Sequence, residues 1–212
     1  LKFDILFNIL YEILFDILFN ILYEILFDIF SSVQPYIIEG EVFFMRILKN
    51  VPNKTYAVAA VVLGILNHFL YRLSGGQAFA ALFCPVNESV WEHLKLLFFP
   101  ILFVSVAEYL RYRPDPVRFF YYRFLSAVCA MGMTITLFYT YTGVIGRNFF
   151  IADILIFLVS ILSAFYMDAY FYQISVRKIS QTATFSLWII LSLCYFTFTC
   201  FPPNIPLFFP YA

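Results

Sequence analysis

Polar residues are sparse along this chain, and their spacing divides it into two regimes. Within residues 3–30 the segment FDILFNILYEIL occurs twice in perfect copy, and a third copy breaks off at Phe30. Asp4, Asn8, Glu12, Asp16, Asn20, Glu24 and Asp28 therefore recur at every fourth position. On a helix turning about 100° per residue a step of four drifts by roughly 40°, so the polar stripe winds around and no single apolar face survives. As a membrane span the repeat is marginal, because in the window 5–23 two acids at about +2.5 to +3.5 kcal/mol each offset the thirteen aliphatic or Phe residues. Five acids against Lys2 leave it with a net charge of −4, the wrong sign for an anionic membrane surface.

Beyond the repeat the pattern changes to long apolar runs. Five of them, residues 55–73, 94–111, 119–142, 149–172 and 185–201, approach or reach the length of about 20 residues that a membrane helix needs. Backbone in lipid must satisfy its own hydrogen bonds, so each run is predicted to be helical. The expected fold is all-α: an integral membrane bundle of about five transmembrane helices, preceded by a low-complexity repeat segment. Pro100 should kink the second helix, and Pro202, Pro203, Pro206 and Pro210 should end the fifth. Residues 1–44 read as repeat and linker and residues 45–212 as the bundle. The stretch MRILKNVPNK at 45–54 looks like a start and a short basic leader, so Met45 is the expected natural first residue and the repeat an extension.

Composition removes whole classes of function. Of the 212 residues 63% are hydrophobic, 22% aromatic and 12% charged, whereas a soluble domain wets its surface with about 25% charged residues. A soluble enzyme is excluded. The net charge of zero supplies no basic face for phosphates, so no nucleic acid partner is expected. Cys84, Cys129, Cys194 and Cys200 form no CxxC pair and read as packing residues, with a Cys84 to Cys200 disulfide as the alternative.

The basic residues sort by loop. Arg46, Lys49, Lys54, Arg111, Arg113, Arg118, Arg123, Arg177 and Lys178 fall on one side, and Arg72, Lys95 and Arg147 on the other. By the positive-inside rule the residues before Thr55 are cytoplasmic and the C-terminus is outside. Trp91 on the outer side and Trp188 on the inner side read as aromatic-belt residues. No small-residue cleavage site follows the first span, which is therefore expected to remain.

This topology collects the uncommon polar groups at the outer interface: Asn67, His68 and Arg72, then PVNESVWEHLK at 85–95, then Arg147, Asn148 and Asp153. Ser89 and Glu92 form an S-x-x-E capping box, with Asn87 as a competing cap. On one helix Glu88, Trp91, Glu92 and Lys95 share a face, while His93 points about 100° away from Glu92.

The blocks HFLYRLSGG (68–76), CPVNESVWEHLKLLFFP (84–100), TYTGVIG (140–146) and FTFTCFPPNIPLF (196–208) resemble a prokaryotic multi-pass membrane family catalogued as domain of unknown function 6512. The resemblance covers about residues 45–210 and rests chiefly on NESVWEHLK. It implies a compact bundle of five or six spans in a bacterial or archaeal plasma membrane, and no known activity.

Three readings follow. The first is a polar pocket at the outer interface, built from Asn67, His68, Asn87, Glu88, Trp91, Glu92 and His93, with an unknown small-molecule ligand. The second is a small-molecule or ion transporter, with Glu108, Asp153, Asp168, Thr134, Thr136, Tyr139 and Thr140 lining a path. Against it, the spans show no inverted repeat. The third is a metal-dependent membrane hydrolase or transferase using Glu88, Glu92, His93 and His68, although no HExxH occurs. No cofactor and no catalytic residue is predicted. The expected partners are membrane lipids, and homo-oligomerisation stays open.

Overall fold

The computed structural model describes residues 54–174 and 180–210, which lie in a compact unit, Ile47–Ala212. The expectations for residues 1–44, and those for Arg46, Lys49, Arg177 and Lys178, fall outside the described residues. Six α-helices are described: α1 Lys54–Leu73, α2 Ala78–Phe83, α3 Val90–Tyr112, α4 Pro116–Ile145, α5 Phe150–Ile174 and α6 Gln181–Cys200, followed by a 3-10 turn at Pro206–Phe208. No strand occurs among the described residues; one isolated bridge joins Ser89 to Pro210.

All helices but α2 are long and apolar enough to cross a membrane. Their ends lie within a few residues of the runs in the sequence, because a 20-residue apolar window leaves little freedom in placing a helix. The short helix α2 was not expected, since six residues, AFAALF, are too few for a periodic signal.

Helix α3 is the hub, packing against α1, α4, α5 and the 3-10 turn. By contrast α1 buries only Ala57, Ala60 and Gly64, a stripe of small residues that lets helix backbones approach. Its other faces are apolar yet exposed, with Val58, Val62, Ile65, Leu66, Phe69 and Leu70 outward. In water such a surface would drive association; in a multi-pass membrane protein it meets acyl chains.

Gly64 makes the closest approach. A Cβ placed there would lie 2.7 Å from the Leu96 carbonyl oxygen and 2.5 Å from Phe157 Cζ. Pro100 has no N–H to give to the carbonyl of Leu96, four residues earlier, so α3 presents a freed oxygen where α1 has no side chain. Helix α3 runs unbroken through Pro100.

Two buried ion-pair clusters clamp the bundle at opposite ends. At the end where α3 begins, Lys95 Nζ donates to Glu92 Oε2 at 2.8 Å, to the Ala81 carbonyl at 2.9 Å and to Thr199 Oγ1 at 2.5 Å. At the end where α3 finishes, Arg123 Nη2 bridges Glu108 at 2.9 Å and Asp168 at 3.0 Å, tying α3, α4 and α5. Its guanidinium also stands over the rings of Phe119 and Phe165.

These placements correct four expectations. Lys95 and Arg123 are not loop cations but buried partners inside helices; one leaves each side, so the basic asymmetry keeps its sign. Trp91 is not a belt residue: it is buried between Tyr195, Phe198 and Phe208, because the chain after α6 folds back over it. Trp188 is likewise internal and donates to the Phe120 carbonyl at 3.0 Å. The cysteines follow the main expectation: all four are free thiols, Cys84, Cys129 and Cys194 are buried as packing residues, and the alternative Cys84–Cys200 disulfide is absent.

Candidate functional site

The outer cluster read from the sequence separates into two structures with different purposes. Ser89 caps α3 by accepting the Glu92 N–H at 3.3 Å, which is half of a capping box. The reciprocal arm does not form: the Ser89 N–H goes to Asn87 Oδ1 at 2.9 Å, and Glu92 Oε2 instead takes the Val86 N–H at 2.9 Å. Glu92 prefers the Lys95 ammonium, with which it is buried, over a solvated turn. Its other oxygen lies 3.0 Å from Thr199 Oγ1, so the carboxylate joins α3 to α6.

Glu88 is not on that face. Because Ser89 is extended, at φ −78° and ψ 153°, the residue before it leaves the helical register and its carboxylate turns to His93. Glu88 Oε2 lies 3.2 Å from His93 Nε2. The hydrogen bond from His93 holds the Glu88 carboxyl below its usual range, outweighing partial burial.

His93 is fixed from behind. The Ser89 carbonyl lies 2.9 Å from His93 Nδ1 and also accepts the His93 backbone N–H at 3.1 Å. A carbonyl can only accept, so Nδ1 carries the hydrogen and Nε2 is the atom presented to Glu88. His68 of α1 comes in beside it, with the two imidazole centroids 5.5 Å apart. Gly64 sits one turn before His68, and Leu96 lies one turn after His93, so the close approach at Gly64 sets this spacing. One ligand-capable atom each from His68, Glu88 and His93 lies within 4.8 Å of the others. His68 Nδ1 is buried and has no hydrogen-bond partner.

These three residues line a cavity of about 470 Å³ between α1 and α5. Gly64, Ile65, Phe69, Leu96, Phe150, Ile154 and Phe157 supply apolar walls, and Asn148 and Asp153 add polar groups. A smaller adjoining cavity shares Glu88, His93, Asn148 and Asp153 and reaches Thr134 and Phe138 of α4. Asp153, in the first turn of α5, accepts a short hydrogen bond from Tyr141, whose oxygen also accepts the Phe149 N–H at 3.2 Å. Size and lining are those of a small-molecule site, mostly apolar with a few convergent polar groups.

Of the seven residues grouped from the sequence, His68, Glu88 and His93 thus face the cavity. The other four lie outside the lining of both cavities. Asn67 donates to the Phe83 carbonyl and accepts from the Cys84 thiol, each at 2.9 Å; burial pushes that thiol up, so it keeps its proton. Asn87 closes a turn, Trp91 packs in the core, and Glu92 pairs with Lys95. Asn148 and Asp153 fall outside that group of seven, although their position at the start of the α5 run places them at the same interface.

The hydroxyls assigned to a transport path mostly close on their own helix. Thr134, Thr136 and Thr140 each donate to the carbonyl four residues earlier, and Thr136 and Thr140 are exposed on the outside of the bundle. Asp153 and Asp168 stand near opposite ends of α5, with Asp168 held by Arg123.

Neither the curated proteins nor the solved structures compared with the chain contain a match. Residues 45–211 match the model of a family described as "Family of unknown function (DUF6512)", and the chain belongs to that family.

Proposed function

We propose that this chain is a multi-pass protein of a bacterial or archaeal plasma membrane whose cavity between α1 and α5 receives a membrane lipid. The lipid's oxygen-rich head group would meet His68, Glu88, His93, Asn148 and Asp153, and its chain would lie along the apolar walls. The observation that carries this reading is the cavity itself, in which polar groups converge at one end of the bundle beside walls continuous with an exposed apolar surface. Ile65, Phe69, Phe150 and Ile154 line the cavity and remain accessible, so its apolar wall is open to the surroundings. A lipid can therefore enter sideways from the bilayer without crossing water.

The orientation that places this cavity at the outer interface is supported by the distribution of Lys and Arg, with residues before Thr55 cytoplasmic and the C-terminus outside. Reconstitution with a lipid carrying a photoreactive diazirine on its acyl chain tests the reading. Adducts should concentrate on residues 64–69 and 150–157. Adducts spread evenly over outward apolar positions, such as Ile189 and Leu193 of α6, would contradict it.

A further inference from the structure

We infer that His68, Glu88 and His93 bind a divalent metal ion of the zinc type, with its remaining coordination position open to the cavity. This deepens the lipid-cavity reading and rests on it only for what the open position meets. Ser89 fixes the hydrogen of His93 on Nδ1, so a neutral His93 directs the Nε2 lone pair at the Glu88 carboxylate only 3.2 Å away. Two acceptors would then face one another at hydrogen-bond distance, so a cation must lie between them, and the hydrogen bond from His93 to Glu88 forms only when Nε2 is protonated. A proton on Nε2 is one solution. A metal ion is the other, and two further features favour it.

The first is His68. A nitrogen of the His68 imidazole, within 4.8 Å of one ligand atom of Glu88 and one of His93, places a second nitrogen donor where a protonated His93 would need none. Two imidazoles and one carboxylate are a known catalytic zinc set, and 3.2 Å is close to the ligand–ligand spacing of about 3.3 Å that tetrahedral bonds of about 2.0 to 2.2 Å produce. The second is the support behind His93. An Nδ1–H bound to a backbone carbonyl is the usual way a ligating histidine is held in orientation and made more basic.

Charge agrees as well. A divalent ion beside Glu88 and Asp153 makes the cavity's polar end neutral, so an oxygen of an ester, phosphate or water can take the open position. The neighbouring Glu92 takes no part, since both its oxygens are occupied by Lys95, Val86 and Thr199.

The test uses the full chain, freed of any histidine tag, purified in detergent, stripped with a chelator and equilibrated with zinc. Elemental analysis should find about one zinc per chain, falling at least 10-fold in His68→Ala and in His93→Ala. Because a variant can fail to fold, X-ray absorption at the zinc edge of the unsubstituted protein supplies an independent reading. Two imidazoles with oxygen at about 2.0 to 2.2 Å are expected. Zinc far below one per chain, zinc retained by both variants, or a shell without imidazole would each overturn the inference. Photolabelling of the stripped protein separates the two proposals. Adducts focused on the cavity without zinc binding sink the metal alone, and bound zinc with evenly spread adducts sinks the lipid reading alone.

Discussion

Glu88 and Glu92 stand four residues apart in one polar segment and have opposite fates. The Glu92 side chain is 3% exposed and all its contacts are matched by donors, whereas the Glu88 side chain is 68% exposed and faces a histidine nitrogen at the edge of a cavity. The first carboxylate belongs to a closed clamp joining α2, α3 and α6. The second belongs to an open set at the cavity edge, with His93 as its one close partner among the described residues. Polar groups placed in a membrane bundle are costly, and what distinguishes structure from site is whether the neighbours satisfy them completely.

That contrast can be broken most severely at the clamp. Lys95→Ala leaves Glu92 buried without its counter-charge, and removal of one partner of a buried pair costs about 3 to 5 kcal/mol. Thermal unfolding in detergent should show a large drop, and the double variant Glu92→Leu with Lys95→Met should recover most of it. Next comes the helix contact that aligns the two imidazoles. Gly64→Val drives a side chain into the Leu96 carbonyl and the Phe157 ring, an overpacking penalty of about 1 to 3 kcal/mol. Unlike the clamp variant it should also reduce zinc retained per folded chain, because it pushes His68 away from His93.

Substitutions at Ser89 and His68 should have smaller effects. Ser89→Ala removes the N-cap hydroxyl of α3 and should cost about 1 kcal/mol, read by the same melting curve. Zinc content should hold, since His93 is oriented by the Ser89 carbonyl and not by its side chain. His68→Ala should change unfolding by no more than about 1 kcal/mol without metal, as its ring gains no hydrogen bond through Nδ1. With zinc present the unsubstituted chain should melt higher than this variant, because only the former gains the binding free energy.

Much of the fold could be read from the sequence because a membrane span is declared by length and hydropathy alone. The five long helices follow from that. Helix α2 does not, since six apolar residues carry no period. The aromatic belt misled at Trp91 and Trp188, because depth along the chain says nothing of whether a ring faces lipid or protein. At Trp91 the decisive fact is a tail, Pro206–Phe208, that returns to cover it. The site was half legible. NESVWEHLK stood out by its density of polar groups, but helical phase put Glu88 with Glu92, when one extended residue at Ser89 sends them apart. The meeting of His68 with His93 depends on packing between α1 and α3. Its trace in the sequence is Gly64, a glycine in an apolar helix one turn before a histidine, matched by Pro100 one turn beyond Leu96.

This segment divides its two glutamates between clamp and site, and a paired measurement on Glu88→Gln and Glu92→Gln separates the two roles. Each variant is melted in detergent and assayed for zinc per folded chain. The account predicts that Glu92→Gln unfolds at a clearly lower temperature yet keeps its zinc, and that Glu88→Gln keeps its metal-free melting temperature yet loses zinc at least 10-fold. Equal losses of stability and of zinc in both variants, or the two effects exchanged between them, would contradict it.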